Sequence, residues 1–303
     1  MHKAQPWSEL AQIFLAHGIL SGQKQRYERV SHSTITFLGG GNMARAIYGG
    51  LVDNGFTETQ ITVIDPSESA QQQARNVGLS SVLSAAPEAI DDDLLVLAVK
   101  PQIAATVLAS LKGKISASTT VLSIIAGIDS ASLSAMLGLT NTSAIIRCMP
   151  NTPSMVNECI TALLTNDQCS EAGRMLAEQV MAAVGKTLWV QEESDLDIVT
   201  AISGSGPAYF FLFMESLTEA AIKLGMSSKA ARLLSVPTAV GSAKLASVSD
   251  EDLAILRNNV TSPGGTTQQA ILSFEQAGLR RVVDDAVSAA RKRSLELSEE
   301  FGV

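Results

Sequence analysis

Histidine is nearly absent from this chain: His2, His17 and His32 are its three, and none follows. A Ser-His-Asp hydrolase or a His-ligated metal centre in the body of the protein is thereby excluded. Chemistry there has to run on a bound cofactor, hydroxyls, lysines, carboxylates or main chain. Cysteine is scarce too. Cys148, Cys159 and Cys169 are odd in number and form no C-x-x-C pair, which suits a reducing cytoplasm. Basic charge is in deficit, with 22 Lys and Arg against 30 Asp and Glu, which argues against a nucleic-acid surface. No apolar run reaches the ~18 residues that a membrane span needs, so no membrane partner is expected.

What is present is the composition of a well-packed globular protein, 303 residues long and 46% hydrophobic, enough for two domains. Residues 1–33 form an N-terminal extension. Its apolar stretch at residues 10–20 contains His17, and it lacks the flank and cleavage site of a secretory signal. Three readings of it stay open: a short amphipathic helix, a leader without fixed structure, or an alternative start at Val30.

From Ile35 onward, strands and helices alternate. Ile61-Thr-Val-Ile-Asp65, Leu94-Leu-Val-Leu-Ala-Val99, Val121-Leu-Ser-Ile-Ile125, Ile145-Ile-Arg-Cys148 and Thr187-Leu-Trp-Val190 read as further strands, with helices at residues 42–54, 69–77 and 171–184. Continuous apolar strands imply cover on both faces, so residues 34–194 read as a doubly wound parallel sheet of Rossmann type. After residue 195 the strand signal vanishes. Residues 195–202, 207–224, 228–246 and 280–298 carry helical spacing, and another helix begins at Pro263. This second domain, 195–303, is all-α. Its run Phe210-Phe211-Leu212-Phe213-Met214 cannot face one core, which points to a subunit interface.

The stretch Gly39-Gly40-Gly41-Asn42-Met43-Ala44 follows the first strand and opens a helix. Gly39-x-Gly41-x-x-Ala44 matches the dinucleotide fingerprint, in which glycines let main chain approach a diphosphate at a helix N-terminus. The string alone also fits an ordinary tight turn; the alternating context raises it above chance. Asp65 ends the second strand, where a carboxylate accepts from the adenosine ribose and favours NAD. Asp65-Pro66-Ser67 is equally good turn chemistry, and Ser67 and Ser69 could instead donate to a 2′-phosphate.

Five more loops carry candidates. Ala98-Val99-Lys100-Pro101 follows the third apolar strand, where Lys100 reads either as a phosphate or ribose contact or as a solvated residue before a helix. Ala126-Gly127 and Arg147-Cys-Met149-Pro150-Asn151-Thr152-Pro153 also end strands. Ser203-Gly204-Ser205-Gly206-Pro207-Ala208-Tyr209 breaks the helical domain. In Thr261-Ser262-Pro263-Gly264-Gly265-Thr266-Thr267, Ser262 reads as an N-cap and Pro263 as the first helical residue, with free amides from Gly264 onward to receive a carboxylate. The Asp91-Asp92-Asp93 run reads as a solvated turn.

These motifs, in this order, resemble the pyrroline-5-carboxylate reductase family over residues 35–297; the Ser203–Tyr209 and Ser262–Thr267 motifs are the most specific. The resemblance implies NADPH- or NADH-dependent reduction of 1-pyrroline-5-carboxylate to L-proline. It also implies a cytoplasmic homodimer joined by the helical domain and gathered in some members into a decamer. Carried over by position, Ser262, Gly264, Gly265 and Thr266 would hold the substrate carboxylate and Thr267 would contact the ring nitrogen. Gly39, Gly41, Asn42, Met43, Ala44, Asp65, Ser67, Ala98, Val99, Lys100, Pro101, Ala126, Gly127 and Asn259 would line the cofactor site. Asp65 stands where the family often has a small polar residue, and its charge opposes a 2′-phosphate. Activity with both cofactors is expected. A β-hydroxyacid dehydrogenase would need a Lys on the helix after Gly206, and residues 207–215 contain none. A catalytically silent dinucleotide-binding dimer is the other rival; the intact Ser262–Thr267 loop argues against it.

Overall fold

The computed structural model describes residues 33–140 and 143–302. The three readings of the N-terminal extension therefore fall outside the described residues. The chain divides into two compact units: one runs to Glu193 and takes in the residues from 300 onward, and the other spans Ser194–Glu299.

The first unit is built on eight strands in the order β3-β2-β1-β4-β5-β6-β7-β8. They are β1 Ile35–Leu38, β2 Ile61–Ile64, β3 Ser81–Leu83, β4 Leu94–Leu97, β5 Thr120–Ser123, β6 Ile145–Met149, β7 Cys159–Thr165 and β8 Gly185–Trp189. The first six are parallel, in the doubly wound order expected. All four residues of β4 are fully buried, because helices cover both faces of the sheet. Helices α1 Asn42–Asp53 and α5 Glu171–Ala182 pack Ile47, Leu51, Leu176 and Val180 onto one face. Helices α3 Pro101–Ala109 and α4 Ser130–Leu137 pack Ala104, Leu108, Leu133 and Leu137 onto the other. Each fully buried aliphatic side chain contributes about 1.5–3 kcal/mol, so this layer supplies most of the unit's cohesion. Helix α2, Glu68–Asn76, lies between β2 and β3 in the chain.

Two strands were not legible in sequence. β3 is three residues long and half exposed, so it carries little apolar signal. β7 runs antiparallel to β6, which departs from the all-parallel expectation. A parallel return needs a crossover of a dozen or more residues. Residues 150–158 are fewer, and they turn through the 3-10 segment Thr152–Val156 and Asn157 at φ 59°. β8 then pairs parallel with β7 after α5.

The second unit is all helical: α6 Glu193–Val199, α7 Gly206–Lys223, α8 Ser228–Val248, α9 Leu253–Asn259, α10 Thr266–Gln276 and α11 Leu279–Phe301. Between α6 and α7 the motif Ser203–Tyr209 does not break the helix. Residues Thr200–Gly204 form a π-turn, with the Ser205 N–H reaching the Thr200 carbonyl at 2.8 Å. Pro207 has no N–H to donate and its ring crowds the preceding turn; one wider turn relieves both without ending the helix. Among the described residues of this unit, only Leu196, Ala201 and Ala231 are buried apolar side chains. Phe210, Phe211 and Leu212 on α7 are each more than 60% exposed, and Leu233 and Leu234 on α8 are also open. The continuous helix Glu193–Lys223 is long and apolar enough by composition to cross a membrane. No single apolar run in the sequence had suggested this, because polar residues interrupt it.

Candidate active site

The turn between β1 and α1 is forced by two constraints on Gly39. Its φ is +104°, and a Cβ there would lie 2.6 Å from the Ala98 carbonyl oxygen, so only glycine lets these two loops touch. The approach is held by the Gly39 N–H on the Ile64 carbonyl and the Ala98 N–H on the Leu38 carbonyl, both 2.8 Å. Gly41 is the N-cap of α1 and brings no capping side chain, and nothing lies within 4 Å of where its Cβ would be. The amides of Asn42, Met43 and Ala44 are therefore the unpaired first-turn donors of a helix whose mouth is open. Asn42 is exposed, Met43 half-buried and Ala44 buried. An uncapped helix end beneath open space fits the diphosphate of a dinucleotide.

Asp65 follows β2 and is half-buried. Its carboxylate accepts from the Gly40 N–H at 2.7 Å and from the Ser67 N–H at 2.8 Å. Ser67 is the exposed N-cap of α2 and makes no side-chain cap bond. The Ser67 N–H on the carboxylate makes Asp65 the turn former that Asp65-Pro66-Ser67 suggests.

The other candidates of the first unit also follow strands. Ala98 and Val99 are half-buried after β4; Lys100 is exposed as the N-cap of α3, with Pro101 at that helix's start. Ala126 and Gly127, the latter at φ +72°, follow β5. Because β1, β2, β4, β5 and β6 are parallel, these loops and the Met149–Pro153 loop share one edge of the sheet, where open α/β folds bind ligands.

Two further residues join that edge. The Ser154 hydroxyl donates to the Met43 sulfur at 3.4 Å, tying the two-proline loop to the glycine motif. Asn151 is buried and its side-chain oxygen accepts from the Ile160 N–H at 3.1 Å. Asn151 stood in a singled-out motif, whereas Ser154 had no signal beyond lying next to it. Beside them, Glu193 gathers the Arg147 guanidinium from β6 and the Ser130 N–H and hydroxyl from the start of α4. Burial, with the neighbouring Cys159, pushes the Cys148 thiol far up, which makes it inert rather than nucleophilic.

Asp92 and Asp93 bond the Thr36 hydroxyl and the Thr34 N–H and so anchor the start of β1. Among the described residues, no group of three His, Cys, Asp or Glu side chains is placed to hold a metal.

In the helical unit, the Ser262–Thr267 loop differs from expectation in three respects: the N-cap, the first helical residue, which is not Pro263, and the first free amide. Ser262 is not an N-cap. It opens a tight turn in which the Gly265 N–H returns to the Ser262 carbonyl at 3.0 Å, with Pro263 and Gly264 at the corner and Gly264 at φ +72°. That is the type II pattern of proline followed by glycine. Helix α10 starts later, at Thr266, with Gly265 as its N-cap. The Gly264 N–H is taken by the Gln268 side-chain oxygen at 2.7 Å. Free first-turn amides therefore begin at Thr266, not Gly264, and the Thr266 and Thr267 side chains are exposed. Asn259 ends α9, is exposed, and donates to Glu251 at 3.1 Å. It belongs to the helical unit and not to the sheet edge that carries the other cofactor candidates.

Comparison with known proteins adds to this geometry. Residues 193–297 match the family model described as pyrroline-5-carboxylate reductase dimerisation. Residues 34–127 match one described as NADP oxidoreductase, coenzyme F420-dependent. Pyrroline-5-carboxylate reductase of Pseudomonas aeruginosa is 43% identical over 276 residues, covering 90% of this chain and all of the relative. The structure of a pyrroline-5-carboxylate reductase from Coxiella burnetii superposes with a TM-score of 0.82 at 40% identity, covering 88% of this chain and 98% of that one. That of the Plasmodium falciparum enzyme, with NADP bound, gives 0.77 at 31% identity, covering 88% and 99%.

Proposed function

The chain belongs to the pyrroline-5-carboxylate reductase family, and on that premise we propose that it reduces 1-pyrroline-5-carboxylate to L-proline with NADPH or NADH. One observation carries the reading: the uncapped, open N-terminus of α1 at Gly41 occurs in a chain that also keeps the Ser262–Thr267 turn. When bound, the reduced nicotinamide cofactor supplies the hydride.

The chain's own part is to hold and orient. In this reading residues 34–194 are the dinucleotide-binding domain, and the amides of Asn42, Met43 and Ala44 take the diphosphate. Asp65 and Ser67 lie toward the adenosine end, and the loops at 98–101 and 126–127 complete the cofactor site. Residues 195–303 carry self-association and the substrate turn. There the Ser262 hydroxyl and the free amides beginning at Thr266 receive the substrate carboxylate, while Gly264 and Gly265 give the turn its shape. Thr267 orients the ring nitrogen through its hydroxyl, which both donates and accepts. A protonated imine already accepts hydride readily, so positioning supplies much of the rate and a body without histidine is sufficient.

A homodimer formed through the helical unit would cover the open aromatic face of α7; light scattering distinguishes that dimer from a decamer. The three free cysteines support a cytoplasmic location.

Imine-dependent oxidation of NADPH or NADH at neutral pH is the test. Turnover with both cofactors is expected, and no turnover with either would overturn the reading. Thr267→Ala should lower kcat/KM for the imine while leaving the cofactor KM unchanged. A variant with wild-type kcat/KM would remove Thr267 from the mechanism.

A further inference from the structure

Every polar atom of Asp65 is already engaged within the protein. Its N–H donates to the Leu83 carbonyl at 2.9 Å, and its carbonyl accepts from the Gln71 side chain at 2.8 Å. One carboxylate oxygen takes the Gly40 N–H and the other the Ser67 N–H. A residue held at four points is fixed in orientation, and the two carboxylate bonds are charge-assisted, the stronger kind.

Gly40 is the partner that matters. It is buried in the middle of the glycine turn, and a Cβ on it would lie 3.2 Å from the Ala70 side chain and 3.5 Å from the Asp65 Cβ. Its peptide is thus pressed against the loop that follows β2, with the Asp65 carboxylate as acceptor. Without that acceptor a buried N–H would lack its partner, and the turn would relax to recover one. The next residue, Gly41, is the N-cap that aims the first amides of α1.

We propose that Asp65 is a positioning residue: its carboxylate clamps the glycine turn in the shape that accepts the diphosphate, and this role outweighs selection between NADH and NADPH. The inference rests on the dinucleotide reading above and deepens it. The diphosphate is common to both cofactors, so loss of the clamp weakens both. A ribose acceptor would act on NADH more than on NADPH, whose 2′-hydroxyl carries the phosphate, and a charge that repels a 2′-phosphate would act on NADPH in the opposite sense.

The test is calorimetric titration of the full chain with NADH and with NADPH, for wild type, Asp65→Asn and Asp65→Ser. Asparagine keeps the shape but turns an N–H₂ donor toward one of the two amides. Both dissociation constants should rise, roughly tenfold or more, as expected for loss of charge-assisted hydrogen bonds. Circular dichroism should stay at wild type. A fall in the NADPH constant, a rise confined to NADH, or no change in either would overturn the clamp. A second measurement needs no variant: amide hydrogen exchange of the unliganded wild type should find Gly40 protected, and exchange at the rate of an open turn would overturn the proposal. A wild-type chain that bound neither cofactor would overturn the functional reading together with the clamp, whereas the variants test the clamp alone.

Discussion

The hydroxyl of Tyr209 donates to the carbonyl of Ala201 at 3.0 Å, bridging the π-turn from the helix that follows it. A π-turn shifts the register of main-chain bonding by one residue, and Ala201 is fully buried. The tyrosine of the Ser203–Tyr209 motif thus holds the distortion that its own glycines and proline create.

Tyr209→Phe should therefore destabilise the fold by about 1–3 kcal/mol, the cost of a buried carbonyl losing its partner. Thermal denaturation checks it. A melting curve identical to wild type would show that the hydroxyl contributes nothing to the π-turn.

Gly39→Ala should be more severe. It asks an alanine to adopt φ +104° and drives a methyl group against the Ala98 carbonyl. Strain of this kind costs at least about 2 kcal/mol, before counting the displaced loop. Chemical denaturation should show the loss, and NADPH titration should show weakened binding, since the displaced turn leads directly into α1.

The exposed aromatics of α7 make a separate prediction. Phe211 is 64% exposed, and residues 193–297 match a dimerisation family. Phe211→Asp should shift the protein toward monomer in sedimentation velocity, because a carboxylate buried in an apolar interface costs several kcal/mol. Activity should fall with the loss of self-association. A variant as fully associated as wild type would place the interface elsewhere on the helical unit.

Stability should decline at alkaline pH. Burial raises the Tyr48 phenol above its ordinary 10.0 and the Cys148 thiol far above its ordinary 9.0. Both are neutral when protonated, and the unfolded chain releases its protons first. Their contribution is fully present below pH 9.0 and is lost as pH rises through the folded-state values. Urea midpoints taken between about pH 8 and about pH 10.5 should fall, and Cys148→Ala should make the fall shallower. A flat profile would contradict the burial of both groups.

Much of this protein is written locally. The apolar run at Leu94–Leu97, the glycines at 39–41, the Pro263-Gly264 pair and the lack of histidine after His32 each constrain the main chain or the chemistry over a few residues. Those constraints were enough for the α/β-then-α plan, the glycine turn that opens α1 and the family.

Tertiary structure decided what depends on partners distant in sequence. β7 runs antiparallel because residues 150–158 are too few for a crossover, and its side-chain pattern does not encode direction. Ser262 gave up the cap position because proline followed by glycine closes a tight turn before a helix can start. The aromatic run of α7 already reads in sequence as too apolar for one core, and the folded chain leaves Phe210, Phe211 and Leu212 exposed. Asp65 and Gly40 are separated by 25 residues, and only the pairing of β1 with β2 brings the carboxylate onto that amide. Residue type and spacing set which groups are available; which atom each one meets is settled when the strands pair.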